Sequence, residues 1–391
     1  MLSGHEILCI STQDWDDLWT RKQRFMTWFA RQGNRVIYVE QQMHWLGYAK
    51  HFKKQWRRIG LWTKGPRKIE DNLYVYTLPI LLPFYQMYSG INGLNYWSIT
   101  RNLQSQIDSL DFKAPILWTY APYSEKLVGN VGEKLVVYEC VDEFSASKGL
   151  VKGNVVKEME ESLLKKSDVV IVTAQSLYDS KKDMAREIRL VPNAAEIEHF
   201  RKALNENLPI PEDMAGLKRP IVGFLGSISY WIDIDLIKYI AESRPDWSIV
   251  MVGPIRTDVS PVSSMPNVYF TGRKDYKLVP NYLKAFDVCL NPYILDGVAE
   301  GCSPLKLYEY LATGKPIVSV DMPEARKFDN VVRIANSREE IIPEIELALQ
   351  EDERLVKERI DISEKNSWRE RFLLENEIIE QAIIKSQSGR N

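Results

Sequence analysis

Short apolar runs alternate with longer segments of helical spacing, and they do so in two successive series divided by a proline-rich stretch. Glu6–Ser11 reads as a buried strand, Thr20–Gln32 has helical spacing through Phe25, Trp28 and Phe29, and Arg35–Glu40 reads as a second strand. A strand, a helix and a strand in that order, with Gly33 between the helix and the second strand, predict a parallel sheet covered by helices. The series continues with helices near Trp97–Leu110, Ser124–Val131 and Val155–Lys166 and strands at Pro115–Thr119, Leu135–Cys140, Asp168–Thr173 and Ile188–Val191. Leu208-Pro209-Ile210-Pro211 to Arg219-Pro220 has the composition of a linker. A second series follows, with strands at Ile221–Leu225, Trp247–Val252, Val268–Thr271, Val288–Leu290, Pro316–Val320 and Val331–Ile334. Helices are expected at Asp233–Ser243, Leu305–Ala312, Arg338–Gln350 and Trp368–Lys385. The fold class is therefore α/β, with two domains.

Composition narrows the partners. A net charge of −2 over 391 residues argues against a nucleic-acid protein as a whole. The longest apolar runs, such as Leu78–Phe84, fall far short of the roughly 20 residues of a membrane span. Met1 leads almost directly into a strand with no basic-then-apolar leader, and Cys9, Cys140, Cys289 and Cys302 show no CxxC spacing, so free thiols in the cytoplasm are expected. Four histidines, none paired at helical spacing with another ligand type, argue against a metal cage. The loop Thr12–Trp19 contains no glycine, so the GxGxxG fingerprint of a dinucleotide oxidoreductase is absent after the first strand.

Four features carry chemistry. Pro304 stands just ahead of the helix beginning at Leu305, where the first amide N–H groups have no partner inside the helix and the dipole is positive. Lys306 in that first turn opposes the dipole unless an anion compensates it, and Glu309 lies on the same face one turn on, placed to accept bonds from sugar hydroxyls. The competing reading is a capped surface helix with a Lys/Glu pair. Gly226-Ser227 follows a strand end and suits a turn whose backbone approaches a phosphate. Asp142, just past the strand Leu135–Cys140, stands where ligands gather in open parallel sheets, or else caps the next helix. Trp45–Lys68 interleaves Lys53, Lys54, Arg57 and Arg58 with Trp56 and other aromatics, which suits either an anionic membrane interface or a solvated basic helix.

The order Pro304, Lys306, Glu309, Tyr310, Ala312, Gly314, Pro316 resembles the donor-binding signature of GT-B glycosyltransferases, in particular bacterial enzymes of cell-surface polysaccharide and teichuronic acid synthesis. The resemblance implies two Rossmann-like domains facing a cleft, with residues 206–365 binding the nucleotide-sugar and residues 1–205, completed by 366–391, binding the acceptor. It implies that Ser303, Pro304, Leu305 and Lys306 hold the diphosphate, that Glu309 holds the ribose, and that Gly226, Ser227, Arg273 and Tyr276 line the rest of the donor site. The family pattern spaces its two glutamates eight positions apart, whereas Glu300 and Glu309 are nine apart; the resemblance implies a sugar contact for Glu300. The family further implies a UDP-linked donor, no metal cofactor, and a glycan or lipid-linked acceptor. Asp142 as base would mean inversion, although a retaining course stays open. The competing functions are a nucleotide-sugar epimerase of the same architecture and a non-catalytic nucleotide- or glycan-binding protein. Location is expected to be cytoplasmic, with peripheral contact to the membrane.

Overall fold

The computed structural model describes residues 1–44, 52–146, 150–295 and 301–388, with the side chains of 52–55 left aside. The chain divides into two compact units, Met1–Pro192 with Phe372–Asn391, and Asn193–Arg371.

The first unit contains β1 (Glu6–Ile10), β2 (Arg35–Val39), β3 (Met43–His44), β4 (Arg67–Glu70), β5 (Leu73–Tyr76), β6 (Ile80–Leu81), β7 (Ile116–Thr119), β8 (Leu135–Cys140), β9 (Val169–Val172) and β10 (Ile188–Leu190). Eight of them form one sheet in the order β10-β9-β8-β7-β1-β2-β5-β4, while β3 and β6 pair separately. All neighbours in the large sheet are parallel except β4 and β5. Parallel strands are covered on both faces, which is why β7, β8 and β9 are buried along their whole length. The β4–β5 hairpin turns at Asp71-Asn72, where Asn72 adopts φ 65°, a conformation that asparagine tolerates.

Residues 124–131 do not form the expected α-helix. Pro122–Ser124 makes one 3-10 turn and the chain continues in turns to Gly129 and Gly132, both at positive φ. The expected helix at Trp97 begins earlier, at Ser89, and runs to Ser109.

The second unit contains β11 (Ile221–Leu225), β12 (Ser248–Val252), β13 (Val268–Gly272), β14 (Val288–Asn291), β15 (Ile317–Val320) and β16 (Arg333–Ala335) in the wholly parallel order β13-β12-β11-β14-β15-β16. The chain moves outward from β11 to β13 and then resumes on the other side of β11 at β14, so the switch of direction lies between β11 and β14. That switch is where open α/β sheets bind ligands, beyond the carboxyl ends of the strands. In the first unit the equivalent switch lies between β1 and β7.

The division at 192/193 precedes the expected boundary at 205. The reason is packing: Ala195, Ile197, Phe200 and Ala203 belong to the core of the second unit with Leu307, Leu311 and Ile317. The return to the first unit comes at Phe372, inside the helix Trp368–Ser388, because Ser367 still bridges to Ala195. Phe372 packs on Phe29 at 4.8 Å and Trp28 at 5.2 Å, and Asn376 accepts the Leu2 N–H. The first unit is thus discontinuous.

Candidate active site

In the second unit the carboxyl ends of β11 and β12 come into backbone contact. Gly226 and Gly253, one residue beyond each strand, have φ of +153° and +147°, and a Cβ on Gly253 would lie 1.8 Å from the Gly226 carbonyl oxygen. Only glycine fits at both positions. The Gly226 N–H donates to Val252 O at 2.8 Å, fixing the turn.

The helix Leu305–Thr313 faces this turn. A Cβ on Gly226 would meet Lys306 Cε at 3.2 Å, and the Tyr310 hydroxyl accepts the Leu225 N–H at 2.8 Å, tying the helix to the end of β11. No side chain caps the helix, and Pro304 occupies the N-cap. Ser303 is buried, its Oγ accepting the Asn193 N–H at 3.2 Å and its carbonyl accepting Asn193 Nδ2 at 2.8 Å. At the other end Gly314 takes φ +67° and stops the helix.

Lys306 Nζ pairs with Glu309 Oε2 at 2.7 Å, and Glu309 is buried. The Lys/Glu pair expected of a surface helix therefore forms, but beside the Gly226 turn. Three buried polar atoms at neighbouring strand ends have no hydrogen-bond partner among the described residues: Ser227 Oγ after β11, Thr271 Oγ1 at the end of β13 and Asn291 Oδ1 at the end of β14. A buried polar atom left unbonded costs roughly 1–3 kcal/mol, so these three atoms are available to hydrogen-bond a ligand.

Gly226, Ser227, Ser303, Pro304, Leu305, Lys306 and Glu309 are thus brought to one edge of the sheet. Tyr276 lies beside them through His199: the two rings stack at 4.1 Å and 13°, and the Tyr276 hydroxyl donates to Glu196 at 3.0 Å. Burial lowers the His199 pKa, with Glu309 among the groups opposing that shift. One face of the Tyr276 ring is consequently taken by His199. Arg273 is exposed at the edge beyond β13. Glu300 lies outside the described residues.

In the first unit Asp142 follows β8. Its backbone is held on both sides: Thr173 Oγ1 donates to the Val141 carbonyl at 3.0 Å, and Glu143 accepts from Lys181 at 3.0 Å and from Ser145 Oγ at 2.5 Å. The Asp142 side chain is open to solvent by surface area although protein surrounds it at longer range. Burial pushes its carboxyl up to about 6, against the pull of the Lys22 ammonium. Lys22 is buried in the first turn of the helix Arg21–Arg31, donates to Thr12 Oγ1 at 2.6 Å and sits 5.3 Å from the Tyr120 ring centroid. Burial lowers its pKa and Asp142 raises it. Lys22 and Tyr120 escaped the sequence reading, since neither carries a local signal; only the strand ends of β1, β7 and β8 bring them together. Beneath them Arg21 is locked between Glu139 and Glu375, all three buried.

The basic segment corrects one expectation. Arg58 is buried, bonded to Asp14 at 2.8 Å and to the Gln41 carbonyl, and so does not face a membrane. Arg57 is exposed but paired with Asp16 at 3.2 Å, and Trp56 is 60% exposed. The side chains of Lys53 and Lys54 lie outside the described residues.

Residues 219–350, which include Gly226, Ser227, Lys306 and Glu309, match the family model described as Glycosyl transferases group 1. A Bacillus subtilis (strain 168) protein, provisionally named the teichuronic acid biosynthesis glycosyltransferase TuaH, is 32% identical over 226 residues. That match spans 54% of this chain and 56% of the relative, little more than half of each. Among solved structures, sucrose-phosphate synthase from Thermosynechococcus elongatus aligns over 97% of this chain and 100% of its own with a TM-score of 0.70 at 13% identity. An Escherichia coli trehalose-6-phosphate structure, bound with UDP-2-fluoro glucose, aligns over 97% of this chain and 99% of its own with a TM-score of 0.69 at 11% identity. At such identities the likeness establishes the fold, which is GT-B with two Rossmann-like domains.

Proposed function

We propose that the protein transfers a sugar from a UDP-linked donor to a glycan or lipid-linked acceptor in cell-surface polysaccharide synthesis. One observation carries the donor half: the unbonded, buried Ser227 Oγ, set in a glycine-only turn against an uncapped helix N-terminus with Lys306. The N–H groups of that helix and Lys306 Nζ receive the diphosphate, the Gly226 backbone and Ser227 Oγ approach it from the strand side, and Glu309 accepts from the ribose hydroxyls. Arg273 and Tyr276 flank the base. The UDP assignment draws on the ligand named in the Escherichia coli structure.

Asp142 takes the proton of the acceptor hydroxyl as its oxygen bonds to the anomeric carbon and the electron pair of the breaking bond leaves with the diphosphate. The developing charge on the leaving group is met by the helix N–H groups and Lys306, with no metal required. Displacement in this sense inverts the anomeric centre. A lipid-linked acceptor implies work at a membrane surface; no described helix is long and apolar enough to cross one.

The test is thermal stability against UDP, GDP, ADP and their common sugar conjugates. A ligand at about 100 times its Kd stabilises the folded form by about 2.7 kcal/mol. A rise in Tm with UDP and UDP-sugars, and none with ADP, is expected. No rise with any nucleoside diphosphate overturns the donor assignment. Asp142→Asn should abolish turnover while leaving that rise intact, and full turnover in this variant removes Asp142 from the chemistry.

A further inference from the structure

Between Glu40 and Asp108 the chain carries only two carboxylates, Glu70 and Asp71. Within that span, and on the loop beside it, large apolar side chains stand in solvent: Leu82 at 48%, Tyr88 at 50%, Leu94 and Trp97 at 62%, and Leu150 at 45%. Local structure groups them. Leu94, Trp97 and Arg101 lie at i, i+3 and i+7 on the outer face of the helix Ser89–Ser109, while Asn95, Tyr96, Ile99 and Leu103 fill the inner face. Asn95 clamps the Leu82 N–H and carbonyl at 3.0 Å each, which seats Leu82 against the start of that helix. The Lys152 N–H donates to the Gln86 carbonyl at 3.1 Å, which brings Leu150 and Lys152 alongside Tyr88.

Cations rim this face. Arg101 lies over the Trp97 ring at 4.3 Å and Lys152 over the Tyr88 ring at 4.6 Å, and neither forms an ion pair with a carboxylate among the described residues. Exposed tryptophan, tyrosine and leucine beside unneutralised cations match the layered chemistry of a bilayer surface, with rings at headgroup depth and cations at the phosphates. A second copy of the chain suits it less well, since a twofold contact would set the Arg101 and Lys152 charges of both copies against each other.

We propose that the face formed by Leu82, Tyr88, Leu94, Trp97 and Leu150, rimmed by Arg101 and Lys152, docks on an anionic phospholipid bilayer. This deepens the membrane-side reading above and rests on it. It also moves the contact away from the segment around Arg57 and Arg58, whose charges are already met by Asp16 and Asp14.

The test is co-sedimentation of the full chain with vesicles of phosphatidylcholine alone and of phosphatidylcholine with phosphatidylglycerol. Binding is expected only to the second and should weaken as salt rises. Leu94→Ser with Trp97→Ser should lower partitioning at least about tenfold, because two large apolar side chains are withheld from the apolar phase. Arg101→Gln with Lys152→Gln should remove most of the salt dependence. Leu347→Ser, an exposed leucine of the second unit at 46%, should change nothing. All these positions are exposed, so the variants should fold. Absence of wild-type binding to anionic vesicles overturns peripheral membrane contact altogether. Undiminished binding by the Leu94/Trp97 variant overturns this face alone, as does loss of a dimer in that variant on gel filtration. No donor or acceptor enters the assay, so either failure leaves the transferase reading standing.

Discussion

Gly253→Ala is the most demanding perturbation of the proposed donor site, because it touches no ligand and acts only through backbone geometry. The new Cβ would lie 1.8 Å from Gly226 O, and a contact must open to about 3.0 Å to be tolerated, so the Gly226 turn has to retreat by about 1.2 Å. It is held where it is by the Gly226 N–H bond to Val252 and by the Leu225 N–H bond to Tyr310. Overpacking of this kind costs about 1–3 kcal/mol, and a non-glycine residue at φ +147° adds about 1–3 kcal/mol. The total of about 2–6 kcal/mol should lower Tm by several degrees at least, at about 2–4 °C per kcal/mol for a domain of this size. Moving the phosphate-facing turn by about an ångström should also cut transfer on the order of a hundredfold. The assays are a melting curve and donor titration, with Gly216→Ala as control, since a Cβ there meets nothing within 4 Å. Unchanged Tm would refute the packing argument. A lowered Tm with donor affinity preserved in the folded protein would refute the placement of the donor at this turn.

Lys306→Ala should weaken UDP binding by about 1.5–3 kcal/mol, the worth of a charge-assisted bond, and leave uridine binding unchanged; equal loss of both in calorimetry shows that Lys306 does not meet the phosphates. If Asp142 is the base it must be ionised, so activity should rise with pH through about 6. Lys22→Met removes the cation opposing that upward shift, and should move the acid limb of the pH–rate profile to higher pH; an unmoved limb separates Lys22 from Asp142. For stability the sign is the reverse: a carboxyl raised in the fold favours the folded state most at low pH, and that contribution is lost as pH rises from about 4 through about 6. Arg21→Met strands the buried Glu139 and Glu375 carboxylates and should cost about 3–5 kcal/mol in thermal melting; a loss below about 1 kcal/mol shows that those carboxylates find other partners.

The strands were legible because parallel strands buried on both faces write themselves as unbroken apolar runs: Leu135–Cys140 and Ile221–Leu225 have the expected bounds. The helix Leu305–Thr313 was legible because Pro304, Lys306 and Gly314 are local signals of a start, a misfit charge and a stop. What stayed hidden depends on residues far apart in sequence. Gly253 looks like an ordinary loop glycine until β12 is set beside β11, and Lys22 looks like a surface lysine until β7 and β8 close over it. The basic run misled for the same reason, since Asp14 and Asp16, which claim Arg58 and Arg57, lie some forty residues earlier.

Each unit carries a lysine in the first turn of a helix beside its topological switch, Lys22 in one and Lys306 in the other, and each cation opposes its helix dipole. The two are answered differently. Glu309 comes from the same helix as Lys306, so the pair closes on itself and leaves the helix N–H groups facing outward, an arrangement that receives an anion. Asp142 comes from another strand end and influences Lys22 without a hydrogen bond between them, so its carboxylate keeps its lone pairs open to solvent. An open carboxylate repels a diphosphate and accepts from a hydroxyl. The charge arrangement supports the proposal that the anionic donor binds the second unit and the neutral acceptor hydroxyl the first. Exchanging that assignment by Asp142→Lys should create nucleotide binding without turnover at the first unit, and failure of the variant to bind UDP any better once Lys306 is removed would show that charge alone does not divide the two sites.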